Sequence, residues 1–175
     1  MLQINIPAQE YFDERTEEFI NVKAHTLQLE HSLISISKWE AKWCKPFLGK
    51  EEKTEEETID YIRCMTITQN VDPMCYNAIP VHELERVKAY IHAPMTATWF
   101  SDRNKPPPNK RVITSELIYY WMVANSIPFE CEKWHFNRLM TLIRICGEKN
   151  QAPQKMSKQD RRALMAQRRA KSKTR

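Results

Sequence analysis

The chain has 175 residues, is 42% hydrophobic and 28% charged, and carries a formal net charge of +5. That length and mix fit one globular domain with its own core, or such a domain with an appendage, rather than a disordered chain. Only Gly49 and Gly147 stand against ten prolines. This excludes glycine-rich phosphate loops, where missing Cβ atoms let backbone N–H groups reach the anion, and with them dinucleotide and P-loop nucleotide binding.

The first elements in chain order are strands. Leu2-Gln3-Ile4-Asn5-Ile6-Pro7 alternates apolar and polar residues and stops at a proline, as a short strand does. Ile20, Val22 and Ala24 keep the period of two, but Leu27 and Leu29 fall on odd positions. A bulge or tight turn near His25 and Thr26 would absorb that slip. Leu27 to Ile36 again reads as strand. The N-terminal third is thus expected to be a small antiparallel sheet of two to four strands.

Helices follow. Ser37 with Glu40 has capping-box spacing, Trp39 and Trp43 lie one turn apart, and Pro46 closes the element. Thr54-Glu55-Glu56-Glu57 is a stronger start, with a reciprocal Thr/Glu cap and carboxylates at the positive end of the macrodipole. It predicts a helix over 55–67 with Ile59, Ile62, Met65 and Thr66 inward, Asp60 and Arg63 outward. The dense run Glu51, Glu52, Glu55, Glu56 and Glu57 reads as a solvated helix start rather than as acid/base pairs. After Pro80, Val81, Leu84, Val87 and Ile91 share a helical face. Arg103 to Arg111 contains three consecutive prolines and reads as an extended, solvated loop.

Two further helices are expected in close succession. One starts at Thr114 or Ser115 and carries Leu117, Ile118, Trp121, Met122 and Ala124. The other starts after Pro128 with a polar line of Lys133, Asn137, Thr141, Arg144 and Glu148, and Gly147 or Asn150 as its C-cap. Gln151 to Gln154 reads as a linker. Ser157-Lys158-Gln159-Asp160 then caps a short basic helix.

Charge is unevenly placed. Residues 155–175 hold nine Lys and Arg against one acid, leaving 18 basic and 21 acidic residues for positions 1–154. The positive charge therefore belongs to a cationic arm on a mildly acidic body. The arm has three readings: docking on an acidic protein, nucleic-acid binding by phosphate neutralisation, or a solubilising tail.

Reactive chemistry has little footing. No run approaches the ~18 apolar residues that cross a bilayer, and Met1 to Glu10 lacks the pattern of a secretory leader. Five cysteines without CxxC spacing read as reduced, mostly buried thiols in a cytoplasmic setting. The five histidines show no HExxH or HxH; Cys131 and His135 lie four apart without further ligands, so no metal is expected. No Ser or Cys sits in a nucleophile motif, and no cofactor or catalytic residue is expected. Most of the five tryptophans must be core, given the ~150–250 Å² each can bury. Those around Trp39–Phe47 and Thr98–Phe100 are candidates for a partner surface.

Several runs point to one family. Ser35-Ile36-Ser37-Lys38-Trp39-Glu40-Ala41-Lys42-Trp43, Lys45-Pro46-Phe47-Leu48, Pro94 to Phe100, Thr114 to Met122, Ile127 to His135 and the Arg-Arg-Ala-Leu at 161–164 resemble a group of small tailed-bacteriophage proteins labelled tail assembly chaperones. The stretch KPFLGKEEK is also similar to small baseplate proteins of contractile phages. The resemblance implies no enzyme activity. It implies a tail morphogenesis protein in the cytoplasm of the infected host that binds tape measure, tube or baseplate subunits as a chaperone. The alternatives are a structural subunit retained in the virion tail or baseplate, and a nucleic-acid-binding accessory acting through the arm.

The expected fold is α+β: a small N-terminal antiparallel sheet, a mainly helical core and a basic C-terminal helix. Residues 1–150 form one domain, β-rich over 1–36 and helical over 37–150, followed by the linker and arm at 151–175. The expected partner-binding residues are Trp39, Trp43, Phe47, Trp99, Arg161, Arg162, Arg168 and Arg169.

Overall fold

The computed structural model describes residues 1–13, 17–100, 112–150 and Met165. The expected proline-rich loop at 103–111 and basic arm at 151–175, Met165 apart, lie outside the described residues. The fold is α+β. The chain divides into two units, Met1–Arg144 and Ile145–Arg175, so the first ends ahead of the expected boundary at residue 150.

Four strands open the first unit: β1 (Leu2–Ile6), β2 (Gln9–Asp13), β3 (Glu18–Val22) and β4 (His25–Leu29). β1 pairs antiparallel with β4 and β2 with β3. Ile6 faces His25 and Gln9 faces Val22, so the second ladder continues the register of the first. The two ladders are one long hairpin interrupted at Pro7–Ala8 and Lys23–Ala24. Pro7 has no N–H to give a ladder. The phase slip seen in the sequence is real, since Val22 and Leu27 are both fully buried, but no bulge absorbs it. Two residues go unpaired on each strand instead, and the ribbon changes its buried face there.

Both free edges of the β1–β4 ladder are covered, which keeps them from templating a strand of another chain. On the β1 side Glu83 accepts the Asn5 N–H at 3.2 Å, and Arg86 donates to the Gln3 carbonyl at 3.1 Å. The two side chains pair at 2.6 Å. On the β4 side the Ile67 N–H reaches the Gln28 carbonyl at 2.8 Å and the Glu30 N–H reaches the Met65 carbonyl at 2.9 Å.

Helix α1 (Leu33–Trp43) begins before the expected Ser37. The run 33–37 alternates like a strand, but the Ser32 side chain accepts the Ser35 N–H and Ser35 returns a bond to the Ser32 N–H. That capping box starts the helix and shortens the β-rich region expected over 1–36. Cys44 closes α1 in the left-handed region at φ 51°, two residues ahead of Pro46.

Helix α2 (Glu55–Met65) starts on the expected Thr54/Glu57 capping box. Its inward face matches the expectation at Ile62 and Met65 but also takes in Glu57, Asp60 and Tyr61, so Asp60, expected outward, is buried. A 3-10 segment, Pro73–Ala78, leads to α3 (Val81–His92). α3 buries Glu83, Val87 and Tyr90, while Val81 is left exposed. The face is rotated because Glu83 must reach the edge of β1.

Helix α4 (Ser115–Ala124) starts where expected and buries Ser115, Ile118 and Met122. The single helix expected after Pro128 is broken. A 3-10 segment covers Phe129–Lys133, and α5 runs Phe136–Asn150 with Gly147 inside it rather than at its cap. The break has a tertiary cause. His135 bridges to Ser32, and the Phe136 N–H donates to the His31 carbonyl at 2.7 Å. Ile4, Leu27, Leu29, Leu33, Ile36, Ile118, Met122 and Leu139, all fully buried, form the centre of the core.

Candidate functional site

The residues expected to grip a partner fall into three groups. Trp39 and Phe47 are buried, at 1% and 9% exposure. Trp39 donates its indole N–H to the Glu57 carbonyl at 2.8 Å. The half-buried Trp43 donates to Asp60 Oδ2 at 2.9 Å. Lys42 pairs with Asp60, and Lys45 with Glu57 at 2.6 Å. The tryptophan-rich segment therefore fastens α1 to α2, with Trp39 and Phe47 inside the core: a buried indole needs an acceptor, and α2 supplies both. Trp99 is 86% exposed and remains available to a partner. Arg161, Arg162, Arg168 and Arg169 lie outside the described residues.

The Lys45 ammonium, hydrogen-bonded to Glu57, is held above its ordinary pKa. The Glu57 carboxyl is held below its own by that bond and by the Thr54 N–H. The acidic run is thus not wholly a solvated helix start: Glu57 is a buried structural ion.

Behind α1 and α2 lies a histidine–aromatic cluster. His31 Nδ1 meets the Tyr61 hydroxyl at 2.5 Å. The His31 ring centroid is 5.1 Å from that of His135 and 5.4 Å from that of Phe136. His135 donates from Nε2 to the Tyr90 carbonyl at 3.0 Å and accepts the Asn137 N–H on Nδ1 at 3.3 Å, so its ring is the neutral Nε2–H tautomer. Burial, with His135 and His92 nearby, lowers the His31 pKa to about 3. Burial pushes the Tyr61 hydroxyl strongly upward. These rings are neutral packing elements at ordinary pH.

A different surface has the character of a docking face. α4 reads Ser-Glu-Leu-Ile-Tyr-Tyr-Trp-Met-Val-Ala, apolar on nearly every side, the composition of a helix buried all round. Tyr120 and Val123, one turn apart on its outer face, are nevertheless 65% and 61% exposed. A tight turn then folds the chain back, with the Ile127 N–H on the Met122 carbonyl at 2.8 Å and Ser126 at φ 54°. This sets the 3-10 segment beside α4. The Tyr119 hydroxyl donates to Glu132 Oε2 at 2.8 Å, and its ring lies 6.3 Å from that of Phe129. Phe129, fixed in this way, adds a third exposed apolar side chain. The sequence contains this signal in the all-round apolarity of α4, but the grouped tryptophans of α1 are its more conspicuous feature.

All five cysteines are free; Cys75 and Cys131 are buried, Cys64 and Cys146 half-buried, and Cys44 exposed. Fewer are buried than expected. Among the described residues no group of three or more His, Cys, Asp or Glu side chains forms a metal-binding cluster. Among them also, no helix is long and apolar enough to cross a membrane. Comparison with protein-family models, with curated proteins and with solved structures finds no match to this chain.

Proposed function

We propose that this chain is a non-enzymatic bacteriophage tail morphogenesis protein that binds tail proteins, the tape measure protein first among them, as an assembly chaperone. The observation that carries this reading is the exposed apolar face of α4 at Tyr120 and Val123, with exposed Phe129 against Tyr119 of the same helix. Apolar surface left in water costs about 25 cal/mol per Å², and a grouped set of such side chains on a well-packed body marks a place where a partner sits. The sequence resemblance supplies the class of partner. A tape measure chain must keep long apolar helical surface from aggregating until the tail tube polymerises around it, and a covering protein meets that need. The chain would act in the cytoplasm of the infected host.

The test is co-purification from infected cells, paired with mass spectrometry of finished particles. Recovery with the tape measure protein and absence from virions supports the chaperone role. Stoichiometric copies in virions would instead make the chain a retained tail or baseplate subunit.

A further inference from the structure

Away from the α4 face, a cleft of about 460 Å³ opens where the 47–53 loop, α2, the end of α3 and the start of α5 meet. Phe47, Ile91 and Phe136 give it apolar walls, and among the described residues no Asp or Glu lines it. Its permanent cation is Lys53. The ammonium donates one hydrogen to the Phe47 carbonyl at 2.8 Å and lies 4.2 Å from the centroid of the Phe47 ring. An ammonium has three donors. The carboxylate of Glu57 is already engaged by Lys45 and by the Thr54 N–H. Burial lowers the Lys53 pKa, as expected of a partly desolvated cation that no carboxylate among the described residues bonds directly.

The cleft is also preformed. Asn137 in its wall donates both amide hydrogens to α3, to Ile91 at 3.0 Å and Ala93 at 2.8 Å. The first amides of α5 are occupied as well: Phe136 by the His31 carbonyl, Asn137 by His135 Nδ1, and Arg138 and Leu139 by the His135 carbonyl. Among the described residues lining the cleft, no helix N-terminus and no arginine fork is therefore open to a phosphate, which favours a single monoanion on a point charge.

We propose that this cleft binds an apolar carboxylate, its oxygens on the Lys53 ammonium and its hydrocarbon body against Phe47, Ile91 and Phe136. The ligand is a free aliphatic or aromatic acid or the apolar C-terminal residue of a polypeptide; the chemistry is the same.

Calorimetric titration of the full chain tests this with four probes: 4-phenylbutyrate, its neutral amide, and a short peptide ending in Leu-Phe with a free or an amidated C-terminus. At least one carboxylate is expected to bind, with its amide weaker by about tenfold or more. The phenylbutyrate and peptide arms show which source fits. Lys53→Met is expected to remove the preference for the carboxylate, and Lys53→Arg to keep it. Equal affinity for acid and amide would overturn the proposal, as would no saturable binding of any probe below about 10 mM. The acid–amide comparison is made on the wild-type chain, so it decides the matter even if a Lys53 variant folds poorly.

Discussion

The carboxylate of Glu40 on α1 caps α4 from outside that helix: its Oε2 accepts the Ser115 N–H at 2.7 Å, and its Oε1 accepts the Phe47 N–H at 2.7 Å. The side chain is buried, at 7% exposure. One anion thereby sits at the positive end of α4 and also pins the loop that leaves α1. Glu40→Ala is expected to lose about 3 kcal/mol, about 1.5 for each of the two charge-assisted bonds removed, with Glu40→Gln losing about half of that. Ser115→Ala should be close to neutral, because the buried Ser115 hydroxyl has no partner at full hydrogen-bond distance among the described residues and gives only a minor share of the hold on the Glu116 carboxyl. Urea titration of the three variants checks the ranking.

Trp39 and Trp99 separate core from surface. Trp39→Phe leaves a void and removes the indole bond to the Glu57 carbonyl, so a loss of about 2–3 kcal/mol is expected. Trp99→Ala, on a residue 86% exposed, should stay within about 0.5 kcal/mol of wild type. Similar losses for both would contradict the placement of Trp39 in the core.

The two buried histidines make stability depend on pH. His31 sits at about 3 against 6.5 for an unperturbed imidazole, and His135 is lowered too, chiefly by burial. The unfolded chain binds more protons between those values. The contribution of the neutral rings is thus fully present above about pH 6.5 and falls as the pH drops toward 3. For His31 the loss by pH 5 is on the order of 2 kcal/mol. Urea midpoints at pH 7.5 and pH 5 measure it, and His31→Asn should flatten the difference.

Gly49 is needed for space rather than for an unusual dihedral angle. A Cβ there would lie 3.0 Å from the Pro46 carbonyl oxygen and 3.3 Å from its Cγ. Gly49→Ala must shift the 46–49 turn, whose Gly49 N–H donates to that same carbonyl at 3.1 Å. A loss of about 1 kcal/mol is expected in thermal or urea unfolding, together with weaker binding of carboxylate probes, since Gly49 lines the cleft.

The features legible in the sequence are those decided locally. Thr54 and Glu57 are three residues apart, and their reciprocal cap forms as expected. The start of α4 and the inward set Ile62 and Met65 are legible for the same reason. The hidden features are decided at a distance. Glu40 reads as a local cap for Ser37, yet its partner Ser115 lies 75 positions away. The break at His135 follows from pairing with Ser32, which no helical periodicity reports. Trp39 and Trp43 read as a surface pair because period alone does not tell which neighbour covers a face; α2 covers theirs. Conversely, the all-round apolarity of α4 is visible in the sequence, but which of its faces is left bare is decided by the neighbours that cover the others.

The most direct measurement co-expresses the full chain with a tape measure protein and compares wild type with Tyr120→Asp/Val123→Asp by size-exclusion chromatography. The expected result is co-elution of the wild-type pair, and loss of co-elution for the double variant at an unchanged thermal midpoint. Unaltered co-elution of a folded double variant, or no complex with wild type, would contradict the assignment of the α4 face to tail-protein binding.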